Sequence, residues 1–247
     1  MGFNKIARFY SLLSDESARL AREGPLLLEI LHRYEPSPRV LDLACGTGVH
    51  SRYLVEQHAS VVAMDISPEM LYYAKSQEQG AKVNYVVADF NSLPFNEQWD
   101  FILCLGNSLC LLPTHKEIKS LFQQVTSILV PNGTFMIQIL NYNHADMKQI
   151  KTLRTIKKLN DNETVTIAKT FIPDEDVVFL SINYFVKTNG LYSTASEANI
   201  LLKLSMSELI TVADEVGLST QAIYGDFQKN DFIADTSKDL IMLFSKS

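Results

Sequence analysis

Short runs of apolar residues alternate with stretches of helical periodicity between Val40 and Asn141. Within the runs, apolar and polar residues hardly alternate, which is typical of strands that are buried on both faces. Strands and helices in this order predict a doubly wound α/β fold, in which helices cover both faces of a parallel sheet. The predicted strands are Val40–Leu43, Val61–Met64, Val83–Val87, Phe101–Leu105 and Phe135–Leu140.

Helix start signals lie between these strands. A helix over Val49–Gln57 follows the first strand. Ser67 before Pro68 marks the start of the next helix, because serine caps helices and proline suits their first position. Thr114 and Glu117 form a capping box that opens a third helix.

The end of the chain completes the sheet. A second capping box, formed by Ser205 and Glu208, opens a helix that ends at Gly217. Two further strands are predicted near Thr220–Tyr224 and Leu240–Phe244. We expect both to return to the main sheet, which gives a Rossmann-like, mostly parallel sheet of seven strands.

An insertion follows the fifth strand. The polar segment Ala145–Leu159 is predicted to be helical, and three β-rich segments with hairpin turns come after it. These segments are Thr164–Phe171, Val177–Val186 and Tyr192–Leu202. We interpret them as a small antiparallel β insertion at about residues 160–204 of a single domain spanning residues 1–247. Residues 1–38 are expected to form a helical segment over the site.

Composition narrows the class of protein. The chain has 247 residues, of which 47% are hydrophobic and 20% charged, so we expect an ordinary buried core. Its net charge is −6, which leaves no excess of lysine and arginine to bind phosphates. A nucleic-acid partner is therefore disfavoured.

The cysteines and the amino-terminal residues indicate a cytoplasmic protein. Cys45, Cys104 and Cys110 form no C-x-x-C pair, which suits a reducing compartment. No apolar run resembles a signal peptide or reaches the roughly 18 residues of a membrane span. The histidines show no metal-ligand spacing. We expect no membrane partner and no bound metal.

The segment VLDLACGTGVHS, residues 40–51, combines a buried strand, a glycine turn and the start of a helix. Such a turn presents free backbone N–H groups at the carboxyl end of the sheet, where open α/β sheets bind ligands. Dinucleotide-binding turns have the pattern G-x-G-x-x-G. After Gly46 and Gly48, the third glycine is replaced by Ser51. This departure disfavours an NAD-dependent oxidoreductase.

Two acidic residues indicate another ligand. Asp42 precedes the turn, where an acid repels pyrophosphate but suits a cationic group. Asp65 ends the second strand, where a carboxylate can accept hydrogen bonds from two ribose hydroxyls. A nucleoside with a positively charged, phosphate-free tail meets both conditions. S-adenosylmethionine is such a molecule.

Four successive segments carry a family resemblance: VLDLACGTG, VVAMDISPEML, VVADFNSLPF and FILCLGNSL. In order and spacing, they resemble the motifs of class I S-adenosylmethionine-dependent methyltransferases. The resemblance covers about Asp15 to Asn141 closely. ACGTGV and CLGNS are most similar to the glycine N-methyltransferase branch and its small-molecule relatives. The resemblance implies methyl transfer from S-adenosylmethionine to a small molecule, with S-adenosylhomocysteine as product.

The resemblance also implies roles for individual residues. The methionine part of the cofactor is expected to lie against Ala44, Gly46 and Gly48. Leu105 and Gly106, at the end of the fourth strand, are expected to contact the cofactor near the methyl group. Asp42 is expected to bind the cofactor by ordering the glycine turn and the ammonium group, through backbone amides or water. Arg19, with Arg22 as its rival, is expected to bind the methionine carboxylate, since a guanidinium can pair with a carboxylate through two hydrogen bonds.

The remaining roles concern the nucleoside. Asp65 would bind the ribose, and Ile66 and Met70 would pack on the adenine. Asp89 would accept the adenine amino group, and Phe90 would donate a backbone N–H.

The acceptor site is expected above the fourth and fifth strands. Methyl transfer from a sulfonium is an in-line displacement that depends mainly on orientation, and no catalytic dyad is found in the sequence. The acceptor supplies an N or O nucleophile. The residues expected to line its site are Tyr10, Asn107, Tyr142 and Asp226.

One residue departs from the resemblance. Glycine N-methyltransferases have an arginine for the substrate carboxylate where this chain has Leu140. Glycine is therefore disfavoured, and a less acidic or more apolar small molecule is expected. The insertion is rich in aromatic residues that could form an apolar pocket, sheet core or a homodimer contact: Phe171, Phe179, Tyr184, Phe185 and Tyr192.

Two other functions stay open at this point. The chain could bind S-adenosylmethionine without catalysis, as a sensor or partner protein, because the same motifs would serve that role. A tRNA or rRNA methyltransferase is the other alternative, although the chain lacks the basic charge that such a substrate requires.

Overall fold

The computed structural model describes residues 7–13, 15–34, 36–80 and 82–246. Its helices are α1 (Ala7–Tyr10), α2 (Glu16–Leu31), α3 (Val49–Glu56), α4 (Pro68–Ser76), α5 (His115–Ile128) and α6 (Met206–Glu215). Its strands are β1 (Arg39–Leu43), β2 (Ser60–Asp65), β3 (Asn84–Val87), β4 (Trp99–Cys104), β5 (Leu129–Leu140), β6 (Lys151–Asn160), β7 (Glu163–Pro173), β8 (Val177–Thr188), β9 (Leu191–Leu202), β10 (Leu218–Tyr224) and β11 (Asp239–Lys246).

Seven strands form the main sheet, in the order β3-β2-β1-β4-β5-β11-β10. The first five run parallel, and β11 is antiparallel to both β5 and β10. The Rossmann-like, mostly parallel seven-stranded fold predicted from the sequence is confirmed. The strand order reverses between β1 and β4, and open α/β sheets place their ligand crevice at such a point.

Local capping signals start the helices. The Ser67 side chain accepts a hydrogen bond from the Met70 backbone N–H, and Pro68 occupies the first position of α4. Thr114 caps α5, and Ser205 and Glu208 form a reciprocal capping box at α6. Each of these starts was predicted from the sequence, because a cap depends only on residues within one helical turn.

Apolar residues fill both faces of the main sheet. On one face, the rings of Phe122, Phe135 and Phe244 lie with centroids 5.2 to 6.1 Å apart, between α5 and the sheet. On the other face, Leu27 and Ile30 of α2 belong to a second buried cluster. Because successive strand residues point to opposite faces, the strands are apolar at nearly every position.

The strands β6, β7, β8 and β9 form a second sheet that is antiparallel throughout. The predicted helix over Ala145–Leu159 is wrong, since this segment contains a short 3-10 turn, Ala145–Met147, and most of β6. β6 is an edge strand with mostly exposed residues, so its sequence lacks the apolar alternation that identifies half-buried strands. The four strands span residues 151–202.

The amino-terminal segment lies against this second sheet. The ring of Phe9, in α1, packs on Tyr184 with centroids 5.8 Å apart. Two 3-10 turns, Ser11–Leu13 and His32–Tyr34, flank α2. Of the helical segment expected over residues 1–38, residues 1–6, 14 and 35 lie outside the described residues. Among the helices described, none is both long and apolar enough to cross a membrane.

Candidate functional site

A cavity of about 520 Å³ lies at the carboxyl ends of the parallel strands. Asp65 at the end of β2, Gly106 after β4 and Leu140 at the end of β5 contribute to its floor. Tyr10 and Arg19 line it from the amino-terminal segment. The inner face of the four-stranded sheet covers it with Lys169, Phe171, Leu180, Ile182, Asn199 and Leu201.

The glycine turn after β1 forms part of this floor. Ala44 and Gly46 line the cavity and both have a positive φ, of 55° and 56°. A Cβ atom on Gly46 would have Tyr10 as its nearest neighbour, 4.0 Å away, so the space beside Gly46 belongs to the cavity. A Cβ atom on Gly48 would meet the Tyr85 hydroxyl at 2.8 Å. Gly48 does not line the cavity and instead allows close packing under the turn.

Asp65 links the two loops that frame the cavity. Its Oδ2 accepts a hydrogen bond from the Gly46 N–H at 2.9 Å, and its Oδ1 accepts one from the Ser67 N–H at 2.9 Å. Burial raises the pKa of this carboxyl above its usual value. Asp65, the exposed Ile66 and the buried Met70 all line the cavity, and their contacts with a nucleoside stay predictions.

Asp42 lies beneath the turn rather than on the cavity. Its side chain is buried, and its Oδ2 accepts a hydrogen bond from the Ser51 hydroxyl at 2.5 Å. Burial raises its pKa to about 7, although Ser51 and Arg19 act in the opposite direction. Ser51 thus uses the position of the missing third glycine to tie α3 to β1. Leu105 is likewise buried and is not a lining residue.

Arg19 and Arg22 both line the cavity and share one carboxylate. Glu23 accepts hydrogen bonds from Arg19 Nε at 3.1 Å and from Arg22 Nη2 at 2.6 Å. Its Oε2 also lies 2.6 Å from His50 Nε2. Burial opposes ionisation of Glu23, but His50 and Arg19 outweigh it and lower its pKa to about 2. The sequence analysis singled out neither Glu23 nor His50.

The loop after β3 lines the opposite end of the cavity with Asp89, Phe90 and Asn91. Asp89 Oδ1 accepts hydrogen bonds from the backbone and side-chain nitrogens of Asn91, at 2.9 and 3.1 Å. Gln124 of α5 donates to the Phe90 carbonyl oxygen at 3.2 Å and accepts from the Leu93 N–H at 2.8 Å. The loop is therefore held by its own asparagine and by α5.

The structure separates the four predicted acceptor residues. Tyr10 and Asn107 line the cavity. Tyr142 is buried behind Asn107, and its hydroxyl accepts a hydrogen bond from Asn107 Nδ2 at 2.8 Å. Asp226 is not a lining residue, and its carboxylate accepts hydrogen bonds from Gln228 and Asn230 in its own turn. Its neighbour Phe227 does line the cavity.

A polar chain crosses the cavity floor between β4 and β11. Gln138 Oε1 accepts a hydrogen bond from the Gly106 N–H at 2.8 Å, and Gln138 Nε2 donates to Asp239 Oδ1 at 2.7 Å. Both side chains line the cavity. The sequence analysis missed them, because Gln138 stands within an apolar strand and its partner is 101 residues away.

The aromatic residues of the insertion divide between its two faces. Phe171 lines the cavity, and the buried Tyr184 donates a hydrogen bond to Glu197 Oε1 at 2.8 Å. Phe179, Phe185 and Tyr192 are exposed on the outer face. Of the five aromatic residues considered in the sequence, Phe171 therefore lines the cavity and the other four do not.

No cluster of metal-binding side chains occurs in the part of the chain that the structure describes.

Comparison with known proteins shows similarity to methyltransferases. Residues 40–133 match the methyltransferase domain family. An S-adenosylmethionine-dependent methyltransferase from Clostridium acetobutylicum has a TM-score of 0.81 at 20% identity, over 98% of both chains. An amino pentose methyltransferase from Micromonospora echinaspora has a TM-score of 0.76 at 15% identity, over 98% of this chain and 95% of its own. The chain therefore has the fold of these methyltransferases, and its residues 40–133 are similar to the methyltransferase domain family.

Glycine N-methyltransferases and glycine/sarcosine N-methyltransferases are among the proteins that the sequence resembles. The enzyme from Rattus norvegicus is 34% identical over 154 residues, covering 56% of this chain and 52% of its own length. The glycine/sarcosine N-methyltransferase of Halorhodospira halochloris is 34% identical over 137 residues, covering 53% and 50%. The chain thus spans about half the length of these relatives.

Proposed function

We propose that this protein transfers a methyl group from S-adenosylmethionine to a small-molecule acceptor within the cavity. The main support is that one continuous space has two different walls. The loops after β1, β2 and β3 contribute polar groups suited to a nucleoside and an amino acid, whereas the four-stranded sheet contributes apolar side chains. A volume of about 520 Å³ falls within the usual range for small-molecule sites, roughly 300–1,000 Å³.

The residues present suit the cofactor. Asp65 has oxygen lone pairs beyond those used by the Gly46 and Ser67 N–H groups, which would serve the ribose hydroxyls. Arg19, held by Glu23, would bind the methionine carboxylate. Open space beside Gly46 would admit the methionine chain. Six further predicted contacts line the same cavity: Ala44, Ile66, Met70, Asp89, Phe90 and Gly106. Asp42, Gly48 and Leu105 do not line it.

The cofactor supplies an electrophilic methyl group on a sulfonium that leaves readily. The protein has to hold the acceptor in line with that methyl group and to exclude water, and orientation alone can contribute roughly 7–11 kcal/mol. A nitrogen acceptor is favoured, since the named relatives are glycine and glycine/sarcosine N-methyltransferases. An amine loses its proton readily when an apolar pocket desolvates it, and Phe171, Leu180 and Ile182 provide such a surface.

Titration calorimetry tests the cofactor assignment. We expect S-adenosylmethionine and S-adenosylhomocysteine to bind in the micromolar range and NADH not to bind. Asp65→Ala should weaken binding at least tenfold, about 1.4 kcal/mol. Because this variant also releases the Gly46 and Ser67 N–H groups, Asp89→Ala provides a second test on another loop. Asp161→Ala, at a side chain that is 95% exposed, is the control. Wild-type affinity in both Asp65→Ala and Asp89→Ala would contradict the assignment.

Formation of S-adenosylhomocysteine distinguishes an enzyme from a binding protein. A screen of amines, phenols and small acids should identify at least one acceptor. Tight cofactor binding without turnover of any compound would favour the non-catalytic alternative. Turnover of tRNA or rRNA alone would overturn the small-molecule assignment, although the net charge of −6 disfavours a nucleic-acid substrate.

The assembly and the compartment are part of the same proposal. Ile172, Phe179 and Ile200 stand directly opposite one another on the outer face of the four-stranded sheet, and each is at least 40% exposed. Such an apolar row supports a homodimer through this face. Sedimentation of the wild type and of Phe179→Ser tests it, and an unchanged monomer in both would refute it. The free thiols of Cys45, Cys104 and Cys110 suit the reducing cytoplasm.

A further inference from the structure

Two polar side chains interrupt the apolar cover of the cavity. Lys169 of β7 and Asn199 of β9 lie on the inner face of the four-stranded sheet, among Phe171, Leu180 and Ile182. Phe171, Leu180 and Asn199 lie opposite one another in one row across the paired strands β7, β8 and β9. Lys169 lies opposite Ile182 in the next row. Lys169 Nζ lies 5.0 Å from the centroid of the Phe171 ring, so the side chain extends toward the row that contains Asn199.

Lys169 differs from the other cations of the cavity in its pairing. Arg19 and Arg22 both form ion pairs with Glu23. Among the described residues, no carboxylate lies within ion-pair distance of Lys169 Nζ, and none accepts a hydrogen bond from it. Burial lowers its pKa, and the charge of Glu197 acts against that shift. Lys169 is half-buried, and an ammonium that is partly withdrawn from water without a carboxylate partner is unfavourable. An anionic ligand would offset that cost.

Asn199 has unused hydrogen-bonding capacity beside it. Its Nδ2 is buried, and no described residue accepts a hydrogen bond from it. A buried amide donor without an acceptor is rare in native proteins and calls for an explanation. Asn199 lines the cavity, so an oxygen of a ligand bound there is a candidate acceptor for this donor.

Glu197 does not supply the missing anion. Glu197 of β9 lies opposite Ile182, which in turn lies opposite Lys169. Its Oε1 accepts a hydrogen bond from the Tyr184 hydroxyl. It is not a lining residue. Burial raises its pKa to about 7, which disfavours its ionised form. Glu197 therefore acts on Lys169 only from beyond ion-pair distance, from a position that does not line the cavity.

We propose that the methyl acceptor carries an oxyanion, a carboxylate or a phosphate, which binds Lys169 Nζ and Asn199 Nδ2. This inference rests on the proposed function and names the acceptor class. Leu140 lines the cavity where the resemblance expects an arginine, and from this we expected a less acidic or more apolar acceptor. The proposal replaces that expectation with an anionic acceptor. The cation comes instead from the opposite wall, so the acceptor would be held by the four-stranded sheet and not by the end of β5.

Matched ligand pairs test the proposal. Calorimetry on the complex with S-adenosylhomocysteine would compare glycine with methylamine, phenylalanine with phenethylamine, and phosphoethanolamine with ethanolamine. The first two pairs differ by a carboxylate and the third by a phosphate. In at least one pair we expect the oxyanion to bind at least tenfold more tightly, the usual magnitude for a charge-assisted hydrogen bond.

Variants link that preference to the two residues. Lys169→Met should abolish the difference within the pair, Lys169→Arg should retain most of it, and Asn199→Leu should reduce it several-fold. S-adenosylhomocysteine should bind all three variants as it binds the wild type. Lys187→Met, on the exposed part of β8, is the matched control.

Three results would overturn the inference: equal binding within every pair, a preference that survives in Lys169→Met, or no binding by any of the oxyanions. Failure of S-adenosylhomocysteine itself to bind would instead refute the proposed function. The two failures are therefore distinguishable in one set of titrations.

Discussion

Glu23 Oε2 accepts a hydrogen bond from Arg19 Nε at 3.1 Å, one turn along α2. The same carboxylate contacts His50 of α3 and Arg22. A Cβ atom on Gly106 would lie 3.5 Å from Arg19 Nη2, so the guanidinium reaches across to the loop after β4. Glu23 is thus a positioning residue that fixes Arg19 where a ligand carboxylate would bind.

Glu23→Gln should weaken binding of S-adenosylhomocysteine about tenfold, because the loss of a charged hydrogen-bond partner leaves Arg19 less ordered. Calorimetry should show no change for 5′-methylthioadenosine, which has no carboxylate. Glu29→Gln, on the exposed side of α2, is the control. A weakened affinity for both ligands would indicate general damage to the site and not the loss of Arg19 positioning.

Gly46→Ala and Gly190→Ala separate backbone strain from occupation of the cavity. Both glycines have a positive φ, and a Cβ atom would meet nothing closer than 4.0 Å at either position. Each variant should therefore lose about 1–2 kcal/mol of stability. In Gly46→Ala the added methyl group also enters the cavity, so we expect at least a tenfold loss of S-adenosylhomocysteine affinity in this variant alone. Equal affinities would place the ligand elsewhere.

Glu197→Gln should change the dependence of stability on pH. Burial raises the pKa of Glu197 from its usual value to about 7 in the folded protein. The protonated form is therefore favoured by folding, and its contribution is complete below about pH 4.5 and is lost as the pH rises through 7. Glutamine keeps an acceptor for Tyr184 but cannot ionise.

The thermal midpoint of Glu197→Gln should fall less between pH 5 and pH 8 than that of the wild type. Some dependence should persist, since Asp42 has its pKa raised to about 7 for the same reason. Glu56→Gln, at an exposed position, should follow the wild type. A parallel fall in all three proteins would show that Glu197 does not titrate in this range.

Ser51→Ala should destabilise the protein by about 1–3 kcal/mol in urea unfolding, because it removes the hydrogen bond to the buried Asp42. The loss should be greater at pH 8 than at pH 5, since an ionised carboxylate without a partner is the less favourable state. Ser76→Ala, at an exposed hydroxyl of α4, should change stability by no more than about 0.5 kcal/mol. A loss independent of pH would contradict the link to Asp42.

Local signals explain why most of the fold could be predicted. The caps at Ser67, Thr114 and Ser205 act within one turn, and the buried strands are apolar throughout. β6 could not be recognised in the same way. An exposed edge strand has no apolar face, so its lysines and threonines gave no periodic pattern.

The site was predictable only where sequence motifs carry it. The glycine turn and Asp65 stand out by residue type and position, and their proposed ligand contacts stay predictions. Glu23 with His50, and Gln138 with Asp239, depend on partners 27 and 101 residues apart. Lys169 could not be recognised from the sequence, because a single lysine in a β-rich segment is usually exposed. Only the structure shows that it lies on the inner face of the sheet. Such pairings follow from tertiary contacts that no short motif encodes.

The second sheet is built from one uninterrupted stretch, residues 151–202, whereas the loops suited to the nucleoside come from residues 44–91. Substitutions confined to residues 151–202 would therefore change the apolar wall of the cavity and leave the loops proposed for the cofactor untouched. Selectivity for the acceptor and affinity for the cofactor are then separable by mutation under the proposed function.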